Sequence, residues 1–219
     1  MKRIPVTLGA LSLLLLLTVA SCTSTLSDEP TTDTRAITFT PAAETRAAVT
    51  GTSLPDGSSF SVWGGYDNDA TNVFKGETVT EENNVWTYGD DYRYWIAGKT
   101  YNFYAVYPTD VKADVSSYGT ITVTNFDCSQ TGDAAVDLMT ATATGDGSNP
   151  KPVALTFNHE LARVNIIVTS EGDAVNISDA RLYGISHIGS LNGDEWNFGR
   201  ISDVNAPSFE TESLSIPAN

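Results

Sequence analysis

From residue 36 onward, apolar and polar residues alternate in short runs separated by turn-forming clusters, and no sustained 3.6-residue periodicity appears. Ala36-Ile37-Thr38-Phe39 alternates up to Pro41, and Phe60-Ser61-Val62-Trp63 follows the turn Pro55-Asp56-Gly57. Val85 to Tyr88 and Tyr92 to Trp95 are further short runs. The clearest strand is Tyr101 to Tyr107, stopped by Pro108. Thr120 to Thr124, Asp137 to Thr142, Val153 to Phe157 and Leu161 to Val168 continue the pattern, the last two flanking Asn158-His159-Glu160. Strands of this length, without helical segments to cross between them, predict an antiparallel sandwich or barrel. A second block of weaker strands begins near Ser170-Glu171-Gly172 and takes in Ile177 to Ile185, Trp196 to Phe198 and Leu214 to Ile216. About 50 residues are too few for a closed second sandwich. Either this block is part of a second domain or its strands pack on the first.

The N-terminus has a different pattern. Lys2 and Arg3 precede an uncharged apolar run from Leu8 to Ala20, which has the layout of a secretory signal. The run ends in Val19-Ala20-Ser21-Cys22, with small residues directly before a cysteine. This predicts cleavage after Ser21 and a diacylglycerol on the Cys22 thiol; together with an acyl chain on the new N-terminus, that gives stable anchoring on a membrane. Thr23 to Thr34 is polar and threonine-rich, with nothing to bury, and reads as a tether.

Charge narrows the partners. The 219 residues carry 12 basic and 27 acidic side chains, a net charge of −15. Loss of Lys2 and Arg3 with the signal leaves 27 acids against 10 bases. The bases are scattered singly, so nucleic acid is excluded as a partner. After lipidation Cys128 is the single remaining thiol and reads as a small apolar core residue.

No catalytic or cofactor constellation emerges. His159 and His187 have no acid or cysteine at ligand spacing, and HExxH, CxxC and GxSxG patterns are missing, so no metal or cofactor is expected. Asp67-Asn68-Asp69 and Gly145 to Asn149 offer oxygen ligands but lack the terminal Glu of a calcium loop, and ordinary turn chemistry accounts for them. The aromatics between Trp86 and Tyr107 are dense enough for a sugar-stacking surface, although alternation turns most of them inward. Thr34-Arg35-Ala36 and Thr45-Arg46-Ala47 repeat a tripeptide in which an arginine precedes a small residue, near the junction of tether and folded part. An arginine-specific protease reads such segments, and two chance surface arginines explain them equally well.

These residues together resemble the fimbrillins, or type V pilins, of Bacteroidetes. The resemblance is carried by the lipobox at Cys22, the TRA segments, Trp86 to Pro108, the DLMTATAT run and, most specifically, VALTFNHELARVNIIV from Val153 to Val168. It implies transthyretin-like antiparallel β-sandwich domains, an outer-membrane surface lipoprotein, and subunits that add to one another by strand donation. In such assembly a protease removes an N-terminal strand and a strand of the next subunit fills the vacated slot. Carried over, Ile37 and Phe39 belong to the removable strand, Arg46 is the first candidate cut and Arg35 the second. Asp28-Glu29 resembles an export signal for surface lipoproteins. The expected organisation is a signal peptide (1–21), a lipidated tether with the removable strand (22–46), an N-terminal sandwich (47–170) and an incomplete second β domain (171–219). The chain stops at Asn219, where the family continues. That opens three readings: a truncated frame, a minor or anchoring subunit, or a surface lipoprotein that does not polymerise. The function expected is a pilus subunit or adhesin without enzymatic activity, whose partners are other pilin subunits, the protease, the membrane and a host or bacterial surface ligand. A glycan-binding lipoprotein of a polysaccharide-uptake system is the alternative, and inward or outward rings between Trp86 and Tyr107 discriminate the two.

Overall fold

A computed structural model describes residues 35–43, 54–130, 135–162, 167–178, 180–199, 207–211 and 214–216. Every regular element among them is a strand. In chain order they are β1 (Phe39–Ala43), β2 (Ser59–Tyr66), β3 (Phe74–Glu82), β4 (Val85–Thr87), β5 (Thr100–Tyr107), β6 (Ala113–Val115), β7 (Ile121–Asp127), β8 (Met139–Asp146), β9 (Val153–His159), β10 (Val175–Ile177), β11 (Ala180–Tyr183), β12 (Ile188–Asn192), β13 (Glu195–Phe198), β14 (Pro207–Thr211) and β15 (Leu214–Ile216).

β5 shows how the alternating pattern builds two cores. Tyr101, Phe103 and Ala105 point to one side, while Tyr104 and Val106 point to the other. The strand is therefore covered on both faces and sits in the middle of a seven-stranded sheet of order β1-β9-β8-β5-β2-β3-β4. β5 pairs along its whole length with β8, from Thr100↔Asp146 to Tyr107↔Met139, and with β2 from Ser61↔Val106 to Tyr66↔Tyr101. The sheet curls, so that its edge strands β1 and β4 approach each other. Inside the curl lies the larger core, in which Phe60, Val62, Phe74, Phe103, Leu155 and Phe157 are buried.

The other face of β2 and β5 is covered by a four-stranded sheet of order β13-β12-β7-β6. Between the two sheets lies the second core, including Trp63, Val106, Val123, Phe126, Leu138 and Leu191. The β6–β7 turn needs Gly119: its φ is +85°, and a Cβ there would sit 2.1 Å from the Tyr104 hydroxyl. The β3–β4 turn uses Asn83 and Asn84, with φ of 54° and 64°, the left-handed pair a tight hairpin requires.

Several sequence expectations shift here. β3, with the sequence FKGETVTEE, is too polar to read as a strand, yet its Phe74 and Val79 are fully buried. β1 runs through Pro41 instead of stopping before it. Leu161, Ala162, Ile167 and Val168 are not in strands, and 163–166 lie outside the described residues. The all-β expectation stands, with one departure from antiparallel pairing among the described residues: β1 runs parallel to β9, from Phe39↔Val153 to Ala43↔Phe157. The block after residue 170 divides in two. β12 joins the sandwich through β7, while β10 with β15 and β11 with β14 form separate two-stranded ladders. A boundary near residue 170 would therefore cut through the four-stranded sheet, with β6 and β7 on one side and β12 and β13 on the other.

Candidate functional site at the N-terminal strand

The segment from Arg35 to Ala43 is held by three kinds of contact. First, Arg35 to Ile37 is clamped against Arg93 to Trp95: Ala36 bridges Tyr94, the Ile37 amide donates to the Arg93 carbonyl (2.8 Å), and the Trp95 amide donates to the Arg35 carbonyl (2.9 Å). The Arg35 guanidinium also donates to the Trp95 carbonyl (3.0 Å). The Tyr88 hydroxyl fastens the clamp from the side, donating to the Ile37 carbonyl (2.8 Å) and accepting from the Arg93 amide (3.1 Å). Burial pushes the Tyr88 phenol above its ordinary pKa, so it stays protonated and able to donate.

Second, two side chains enter the larger core. Ile37 is 0% exposed and Phe39 3% exposed. The Phe39 ring packs edge-on against Phe60, Phe74, Tyr88 and Phe103, with centroid separations of 5.4–6.2 Å. Third, the backbone forms the parallel ladder with β9, beginning with the Val153 amide donating to the Thr38 carbonyl (2.7 Å). Among the described residues no strand pairs with β1 on its other side.

Ile37 and Phe39 thus lie on one edge segment and fill one apolar slot. Arg35 is exposed, but its carbonyl is hydrogen-bonded and Ala36 after it is 8% exposed. Cys22, Asp28, Glu29 and Arg46 lie outside the described residues.

The aromatic stretch is mostly interior. Trp95, Tyr101 and Phe103 are buried, and Trp86, Tyr88 and Tyr107 pack on the larger core. Tyr92 and Tyr94 remain 44% and 47% exposed on the outer side of the clamp.

Sequence spacing gave no partner for either histidine, and the fold supplies one to each. His159 Nδ1 lies 2.6 Å from Asp137 Oδ2, tying the end of β9 to the residues before β8. His187 Nδ1 lies 2.9 Å from Asp127 Oδ1, joining β12 to β7. Burial alone would raise the Asp127 carboxyl, but hydrogen bonds from Ser129 and His187 outweigh it and hold it below its ordinary value. Cys128 packs against the second core, and its thiol donates to the His187 carbonyl (3.3 Å) while burial raises its pKa. In the acidic turns, Asp67 pairs with Lys99 and Asp69 accepts from Thr71, while Asp146 accepts from the Ser148 amide (2.8 Å). Among the described residues no group of three or more His, Cys, Asp or Glu converges as metal ligands.

A crystal structure of a fimbrial protein from Bacteroides ovatus ATCC 8483 is similar to this chain at 17% identity and a TM-score of 0.38, over 69% of this chain and 32% of that one. The chain therefore spans about a third of the length of that protein. No curated protein matches it. The model of the family described as Fimbrillin-like matches residues 45–210, most of the length, and the chain belongs to the fimbrillin-like family.

Proposed function

We propose that the chain is a structural subunit or adhesin of a fimbrium, exported as an outer-membrane surface lipoprotein through Cys22. In this reading it joins other subunits by strand addition after an arginine-specific protease has released its N-terminal strand. The observation that carries the reading is the placement of residues 35–43: an edge segment whose Ile37 and Phe39 fill a slot in the larger core. Losing that segment leaves an apolar groove beside the unpaired amides of β9, which an extended strand with alternating apolar side chains fills. The family match begins at residue 45, directly after β1. Inward rings between Trp86 and Tyr107 favour this reading over glycan binding.

The clamp also ranks the two arginines. A protease needs the scissile segment extended and free to pair with its own cleft. The Arg35 carbonyl is bonded to Trp95 and Ala36 is buried, so Arg46 is the favoured cut.

Limited digestion with an arginine-specific protease, followed by N-terminal sequencing, tests this. Cleavage is expected after Arg46 with Arg35 spared. The nicked protein is expected to gain thermal stability, or to polymerise, when given a strand peptide from a family member. Absence of both effects after a verified nick removes the assembly mechanism.

A further inference from the structure

The described contacts that hold the N-terminal strand in its slot run from Arg35 to Ala43, all of them before Arg46. A chain cut after Arg46 therefore keeps every one of these contacts. What the cut removes is the covalent link, which had held the strand at high effective concentration beside its slot. Whether the slot then empties depends on how firmly each end of the strand is gripped.

The two ends are gripped unequally. Toward the cut, Thr40 is exposed and Pro41 to Ala43 are half-buried over the ladder to β9. At the far end Ala36, Ile37 and Phe39 are buried, and the clamp adds a second set of backbone bonds. Segments with few buried contacts open first, whereas buried anchors set the rate of dissociation.

The body's half of the clamp has its own ties. The Trp95 ring is buried and packs edge-on against Tyr101, with centroids 4.9 Å apart. The Ile96 amide donates to the Tyr101 hydroxyl (3.0 Å), and Arg93 pairs with Glu77 of β3 (3.7 Å). None of these ties involves the strand, so they outlast the cut. Tyr88 joins the two halves: its hydroxyl bonds Ile37 on the strand and Arg93 on the body, while its ring packs against Phe39 and Phe74.

We propose that the clamp is a latch that keeps the strand docked after the cut, so that cutting the chain and emptying the slot are separate events. Release then runs from the cut end toward the clamp, which opens last. The latch rests on the reading given above, with Arg46 cut and Cys22 lipidated. On that reading Cys22 belongs to the same piece as the strand, so the latch also keeps the cut body at the membrane until the strand leaves.

The test uses the full chain in detergent, cut with an arginine-specific protease that is then quenched. N-terminal sequencing verifies the cut after Arg46, and native mass spectrometry follows the fraction of bodies that still carry the piece with residues 35–46. The parent is expected to keep the piece through size-exclusion chromatography. Tyr88→Phe leaves the ring between Phe39 and Phe74 but loses the bonds to Ile37 and Arg93, and is expected to shed the piece about tenfold faster. Arg35→Ala removes the guanidinium bond to the Trp95 carbonyl from the strand's side, leaves the body's sequence unaltered, and is also expected to shed it faster. Val123→Ala weakens the second core, which contains no residue of the strand, and is expected to lower the melting temperature while shedding the piece at the parental rate. A verified cut with the piece gone at once from the parent, Tyr88→Phe and Arg35→Ala proteins that shed it at the parental rate, or a Val123→Ala protein that sheds it as fast as Tyr88→Phe each overturns the latch alone. No cut after Arg46 removes the reading beneath it, and the latch with it.

Discussion

Phe39 is close to the start of the folded part, yet it stands at the centre of the larger core, with four aromatic rings around it. Truncating such a side chain loses its transfer free energy and leaves a cavity that rigid neighbours cannot close. Phe39→Ala should therefore cost about 3–5 kcal/mol in the uncut protein, measured by denaturant unfolding. After release of the strand by a protease, the remaining body contains no residue 39, so parent and variant bodies should then unfold alike. The burial of Phe39 was readable from the alternation of Ile37 and Phe39. Its partners were not, because Phe60, Phe74, Tyr88 and Phe103 come from separate segments that meet only when the sheet curls.

Strand pairing carries the same lesson at the scale of elements. β5 and β8 are legible because each alternates cleanly over a full strand length. β3 is not, because its outward face is charged and only Phe74 and Val79 are fully buried. Nor is the β1–β9 pair, whose contacting residues Thr40 and Val153 lie 113 positions apart. The β7–β12 pair is similar: it is held by the Asp127–His187 contact, the Cys128 amide donating to the His187 carbonyl and the Asn125 amide donating to the Ser190 hydroxyl. Asp127 gives this pair a pH dependence. Its folded carboxyl titrates below the unfolded value of about 3.9, so its contribution is fully present above that pH and is lost as pH falls through the lower folded pKa. Asp127→Asn should therefore be less stable than the parent at pH 6, and the difference should vanish toward pH 2 in parallel thermal melts. A gap that persists at low pH would assign the effect to packing instead of charge.

At the scale of the molecule, the second core decides which parts of the chain must stay together. Leu191 is 2% exposed in that core, and β12 is the neighbour of β7 in its sheet. Losing one buried leucine side chain costs about 2–5 kcal/mol, and losing the strand removes a row of backbone bonds as well, against a total domain stability of about 5–15 kcal/mol. A chain ended after Ser170 should lose cooperative unfolding by circular dichroism, whereas one that keeps residues through Phe198 should retain it. The sequence alone was enough for the all-β class, the strong strands, the acidic surface and the resemblance to fimbrillins, because alternation, turn residues and charge are local properties of the chain. Tertiary structure alone decided that β1 lies parallel on β9, that Arg35 is clamped while Ile37 and Phe39 plug a slot, and that β12 completes the sandwich. Those outcomes depend on which faces bury most apolar surface against one another, and that is settled between segments far apart in the chain.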